Sequence, residues 1–253
     1  MTTCRSGKAC SHRPVAGRTG DAPQGRGYIV GVIASRDELH RALRMRKPPD
    51  LFELRLDHLI GVVDELENQL SILSGSRGDT RRGEPVPVII TIRDPREGGA
   101  NNLSIQQRRE LLFRFLPNAR YVDVELRSAR AFRSLIELAR TRNVRRIISF
   151  HDFKSTPTLR SLRAMARRAK SCGADIFKVA TRTDTPEQLA RLLNFARKAD
   201  VDLPISAMGI GKLGAASRIA LARCGSVFNY ASIGQSKIEG QLSLERLRAA
   251  LRR

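Results

Sequence analysis

From Tyr28 onward the chain alternates two patterns: short runs dominated by apolar and β-branched residues, and longer stretches whose apolar positions recur every three or four residues. The short runs fall at 28–34, 51–57, 86–93, 120–126, 144–150, 175–180, 203–208 and 226–231. The amphipathic stretches fall at 36–45, 62–73, 105–116, 129–142, 159–171, 186–198, 215–222 and 244–251. Strand followed by helix is the unit of a parallel sheet, and eight such units in about 225 residues predict a single-domain (β/α)8 TIM barrel. Helix starts are marked locally. Ser104 with Gln107 and Thr185 with Gln188 read as capping boxes, and Pro186 occupies the first position of its helix.

Residues 1–26 break this pattern. They are rich in Gly, Ser, Thr, Pro and Arg and nearly devoid of large apolar side chains, so they cannot offset the entropy of being ordered. The expectation is a disordered basic tail over 1–26 and a catalytic barrel domain over 27–253.

A barrel of this kind collects its chemistry at the carboxyl ends of the strands. The centre of that chemistry is Gly173-Ala174-Asp175-Ile176-Phe177-Lys178-Val179-Ala180. Strand alternation puts Ile176, Lys178 and Ala180 on one face, so Lys178 points inward among small and aliphatic groups near the end of the sixth strand. Desolvation there is expected to lower the lysine pKa and leave an amine able to attack a carbonyl and form a Schiff base. Other strands bring charge to the same interior. Glu53, Arg55 and Asp57 share one face of the second, Asp123 and Glu125 one face of the fourth. Thr91-Ile92-Arg93 closes the third before Asp94-Pro95-Arg96-Glu97-Gly98-Gly99, and His151 is expected just past the last paired position of the fifth. So many charges in one interior must be mutually paired or functional. After the seventh strand, a glycine-rich loop runs into a helix that carries Arg218, a side chain suited to gripping a carboxylate. After the eighth, 232–241 is polar enough for a lid.

Charge refines the picture. The net charge is +21, with arginines spread over seven of the eight helix-like stretches, no Trp and only 5% aromatic residues. That distribution lacks the stripe and the stacking platform of a nucleic-acid surface, and instead favours a small anionic substrate. No run approaches the roughly 18 apolar residues of a membrane span, and no segment reads as a secretory signal. Four cysteines, Cys4, Cys10, Cys172 and Cys224, form no paired framework, which fits a reducing, cytoplasmic setting. Cys4, Cys10 and His12 match no usual zinc spacing.

In combination, Phe52-Glu53-Leu54-Arg55-Leu56-Asp57-His58, Arg93 with Glu97-Gly98-Gly99, Ser149-Phe150-His151-Asp152, Asp175-Ile176-Phe177-Lys178, Ala207-Met208-Gly209 with Ser217-Arg218, and Gly240-Gln241 resemble type I 3-dehydroquinate dehydratase. The resemblance spans nearly the whole chain after the tail. It implies that Lys178 forms an imine with the C3 ketone of 3-dehydroquinate, that His151, as an imidazole titrating near neutrality, is the acid and base, and that Glu97 positions His151. It further implies that Glu53, Arg55 and Arg93 hold substrate hydroxyls, that Arg218 binds the carboxylate and that Gln241 belongs to the lid. No metal or organic cofactor is implied, and the assembly would be a homodimer. The chain departs from the family at its lid. Lys237-Ile238-Glu239 replaces a hydroxyl residue followed by Ala-Pro, so Lys237 stands where the carboxylate would normally meet a hydroxyl. Two other functions share part of the pattern: a class I aldolase-like barrel, which would need Lys178 but not the His151–Glu97 pair, and a weakened paralogue acting as a basic nucleic-acid or partner-binding module.

Overall fold

A computed structural model describes residues 27–73, 86–198, 200–236 and 238–252. Among the described residues, eight strands and eight α-helices alternate, in the order β1 (Tyr28–Ile33), α1 (Arg36–Arg44), β2 (Leu51–Arg55), α2 (Val63–Leu73), β3 (Val88–Thr91), α3 (Ile105–Phe115), β4 (Tyr121–Glu125), α4 (Arg133–Thr141), β5 (Arg145–Asp152), α5 (Leu159–Ser171), β6 (Ile176–Arg182), α6 (Pro186–Arg197), β7 (Ile205–Ile210), α7 (Gly214–Arg223), β8 (Phe228–Ser232) and α8 (Leu244–Leu251). All neighbours run parallel, in the order β7-β6-β5-β4-β3-β2-β1-β8. This is the expected (β/α)8 barrel. The 1–26 tail lies outside the described residues.

Period-two alternation sorts the strand residues into two cores. Phe52, Leu54, Val122, Val124, Ile148, Phe177 and Val179 face outward and pack under the helices in one large cluster. Val30, Leu51, Ile89, Tyr121, Ile147, Ile176 and Phe228 face inward and form an apolar plug inside the barrel. The charged residues stand above that plug. Both expected capping boxes form, Ser104 with Gln107 and Thr185 with Gln188.

The barrel is closed on one side by the β1–β8 ladder, which pairs Tyr28 with Phe228 and Val32 with Ser232. The opposite joint, between β7 and β8, is held differently. Val227 N–H donates to Ile205 O at 3.0 Å, Ser206 Oγ donates to Phe228 O at 3.0 Å, and Ala207 N–H donates to Ser226 Oγ at 3.1 Å.

Strand limits differ from the sequence reading where side chains are delivered to the interior. β5 extends to Asp152, so His151 is not beyond the ladder but paired with Ala180 within it. β6 continues to Arg182, which puts Lys178 mid-strand rather than at its end. The cause is β7: Thr181 and Arg182 find partners in Gly209 and Ile210, so the ladder carries on past Ala180.

Candidate active site

Lys178 projects from β6 into the barrel and is 3% exposed. Ile176 and Ala180 share its inner face as expected, and charged groups from other strands join them. Nζ donates to Glu53 Oε1 at 2.8 Å and to Asp123 Oδ2 at 2.9 Å, and it lies 4.0 Å from the centroid of the Tyr230 ring. Thr91 Oγ1 donates to the same Glu53 oxygen at 2.9 Å, which fixes that carboxylate. The lysine nitrogen is therefore buried between two carboxylates and against one aromatic face.

Arg93, just beyond β3, ties this group to its neighbours. Nη2 reaches Asp123 Oδ2 at 2.9 Å, and Nη1 reaches Ser149 Oγ at 2.6 Å and Glu125 Oε1 at 3.2 Å. Burial alone would raise the Asp123 pKa, but Arg93 and Lys178 overcome it and hold the carboxyl far below its usual range. Behind Arg93, the buried Arg108 of α3 pairs with Glu125 and, at 3.1 Å, with Asp94.

Glu97 is placed by a short helical turn, Pro95–Glu97. Asp94 caps it by accepting from Arg96 N–H, and Gly98, at φ 84°, ends it. A Cβ on Gly98 would meet the Phe153 ring at 2.8 Å and would demand a left-handed backbone of an L residue, so glycine is required there. Glu97 Oε2 accepts from the backbone N–H of His151 at 2.9 Å and lies 3.2 Å from its Nδ1. Burial raises the Glu97 pKa to about 7, against the pull of Arg93. Burial, then the positive charges of Arg93 and Lys178, push His151 well below 6.5. The imidazole near neutrality expected from the sequence is thus a neutral one, because it is buried beside two cations. With Nδ1–H directed at Glu97, Nε2 is the basic nitrogen.

Arg55 donates to Asp57 at 3.0 and 2.8 Å and to Gly98 O at 3.2 Å, and Asp57 also receives Ala100 N–H at 3.0 Å. This pair fixes the loop that carries Glu97. Arg218, on α7, is buried. Nη1 donates to Tyr230 O at 3.1 Å, Nε has no partner among the described residues, and burial lowers its pKa to about 10. Gln241 Oε1 accepts from Ser236 Oγ at 2.9 Å, and Glu239 pairs with Arg182 at 2.9 Å, which anchors the 238–241 segment to β6. Lys237 lies outside the described residues.

One cavity of about 90 Å³ is lined by Glu53, Arg55, Arg93, Glu97, His151, Lys178, Arg218 and Gln241, together with Tyr230. Eight side chains singled out from the sequence thus meet in one place. A buried amine, a neutral imidazole oriented by a carboxylate, and an arginine with an uncommitted donor form a site suited to a small anionic carbonyl compound.

The model of the type I 3-dehydroquinase family matches residues 31–253. The chain belongs to that family. The 3-dehydroquinate dehydratase of Shouchella clausii is 31% identical over 214 residues, covering 81% of this chain and 81% of that protein. That of Pyrococcus abyssi is 31% identical and covers 88% and 97%. The crystal structure of the 3-dehydroquinate dehydratase from Geobacillus kaustophilus superposes with a TM-score of 0.77 at 30% identity, covering 89% and 90%.

For a type I 3-dehydroquinase, the sequence reading left two groups in this site without a task. Asp123 was visible as an inward charge, but its contact with Lys178 joins positions 55 residues apart, which no local pattern reports. Tyr230 was read only as part of the eighth strand, although alternation with Phe228 puts both rings inside the barrel.

Proposed function

We propose that this chain dehydrates 3-dehydroquinate to 3-dehydroshikimate through an imine on Lys178. The observation that carries the reading is that Lys178, the Glu97–His151 pair and Arg218 line one small cavity. Glu53 and Asp123, within 2.9 Å of Nζ, are the nearest acceptors for the proton the ammonium loses before attack. The amine adds to the C3 ketone, the proton held by the carboxyl passes to the carbinolamine hydroxyl, which leaves as water, and the protonated imine that results is the electron sink. His151, neutral and oriented through Nδ1, takes a proton from C2 to give the enamine. It returns that proton to the C1 hydroxyl, which departs as water. A second water hydrolyses the imine, freeing product and amine. Arg218 meets the substrate carboxylate, Arg55, Arg93 and Glu53 lie against its hydroxyls, and Gln241 and Lys237 close the lid. The chemistry draws on side chains alone, and the working form is a cytoplasmic homodimer.

The deciding experiment is reductive trapping. Borohydride added with 3-dehydroquinate should leave a mass increment on Lys178, and Lys178→Ala should lose both adduct and turnover. His151→Ala should keep the adduct while turnover falls by about two orders of magnitude or more. An adduct elsewhere, or full activity without Lys178, overturns the reading.

A further inference from the structure

Tyr230, on β8, is the one buried polar side chain of the cavity to which the mechanism above gives no role. Its ring face lies against Lys178, and its hydroxyl is buried with no hydrogen-bond partner among the described residues. Burial, reinforced by the carboxylates of Glu53 and Asp123, pushes the phenol well above 10, so the group remains a donor at any physiological pH. A phenylalanine would present the same ring without the orphaned donor. A buried donor left unsatisfied destabilises a fold, and one that persists beside a reactive amine is best explained by a ligand atom that completes it.

The other donors around the amine narrow what that ligand atom is. The Nη atoms of Arg93 already donate to Asp123, Glu125 and Ser149. Arg55 is engaged by Asp57 and Gly98, and Glu53 and Asp123 face the nitrogen, where one of them holds the proton the ammonium has lost and the other stays an anion. Attack by Lys178 on a ketone builds negative charge on the ketone oxygen, on a centre bonded to the nitrogen that lies over the Tyr230 ring. That oxygen needs a donor that stays in place throughout attack, and the carboxylate still ionised would repel it.

We propose that the Tyr230 hydroxyl donates a hydrogen bond to the substrate oxygen on the carbon attacked by Lys178, first as the ketone and then as the carbinolamine hydroxyl. No proton is transferred to or from the phenol. The contact polarises the carbonyl during attack and orients the hydroxyl that leaves as water. The inference rests on the imine reading, but it concerns how fast the imine forms rather than whether it forms.

The test is Tyr230→Phe in the full chain, with the growth of the Lys178 adduct followed by borohydride quenching and mass spectrometry, alongside thermal melting. Adduct formation should slow by about tenfold or more, as expected for loss of one donor to a developing oxyanion. The melting temperature should hold or rise, since an unsatisfied buried hydroxyl has been removed. Unchanged adduct kinetics would overturn the inference and leave the imine reading standing. Slowed kinetics with a lowered melting temperature would overturn it too, because the hydroxyl would then be serving the fold. Absence of a Lys178 adduct in the wild type would overturn both readings at once.

Discussion

Asp123 Oδ2 lies 2.9 Å from Lys178 Nζ, and Arg93 Nη2 reaches that same oxygen at 2.9 Å, so one carboxylate bridges two buried cations. Removing its charge leaves two buried cations short of an anion. Asp123→Asn should therefore cost about 3–5 kcal/mol of stability near neutral pH, measured by chemical denaturation. The pH dependence has a definite sign. Because the folded-state pKa of Asp123 lies below its ordinary 3.8, its contribution is fully present above that value and is lost as pH falls below it. Wild type and variant should converge in acid; a gap that persists unchanged below pH 4 would contradict the bridge.

The pairing of Glu97 with His151 governs a different pH limb. Glu97, raised to about 7, takes up its proton before His151, which is pushed well below 6.5, so the carboxylate that orients Nδ1–H is the first charge lost as pH falls. The acid limb of kcat should therefore lie near pH 7 and flatten in Glu97→Gln, while kcat above it drops by about tenfold or more. An acid limb unchanged in the variant would mean that Glu97 does not set it.

Arg218 separates charge from geometry. Its fork holds Tyr230 O with one nitrogen and keeps Nε uncommitted, a double duty that a lysine ammonium cannot perform from one point. Arg218→Lys should raise KM by about tenfold, with a smaller effect on kcat, and Arg218→Ala should raise it more. Equal KM values in the arginine and lysine forms would show that charge alone suffices.

The eight units were legible because each strand carried a short apolar run and every helix but α7 a period near 3.6, with two capping boxes marking starts that the structure reproduces. Strand ends were less legible. β3 stops at Thr91 although the apolar run continues, because Ile92 leaves the ladder and the chain turns to bring Arg93 across to Asp123. β6 runs past Ala180 because β7 offers it partners. In the site, residue identities were readable and environments were not. Lys178 reads as a buried inward amine, and it is buried, but the carboxylate 2.8 Å from it belongs to Glu53, 125 positions away in sequence, which no local pattern reports. His151 suggested a near-neutral titration that its burial removes.

The joint between β7 and β8 leans on serine hydroxyls more than on backbone pairing, and Arg218 crosses it, reaching from the helix after β7 to the carbonyl of Tyr230 on β8. Such a joint is the natural place for the cylinder to breathe, and its amide protons should exchange with solvent before those of the β1–β8 ladder. A carboxylate seated on the free edge of Arg218 would brace the rivet that spans this gap. Substrate then does more than fill the cavity, for it stiffens the wall, and slower deuterium uptake along Phe228–Ser232 would record its arrival at a distance from the chemistry.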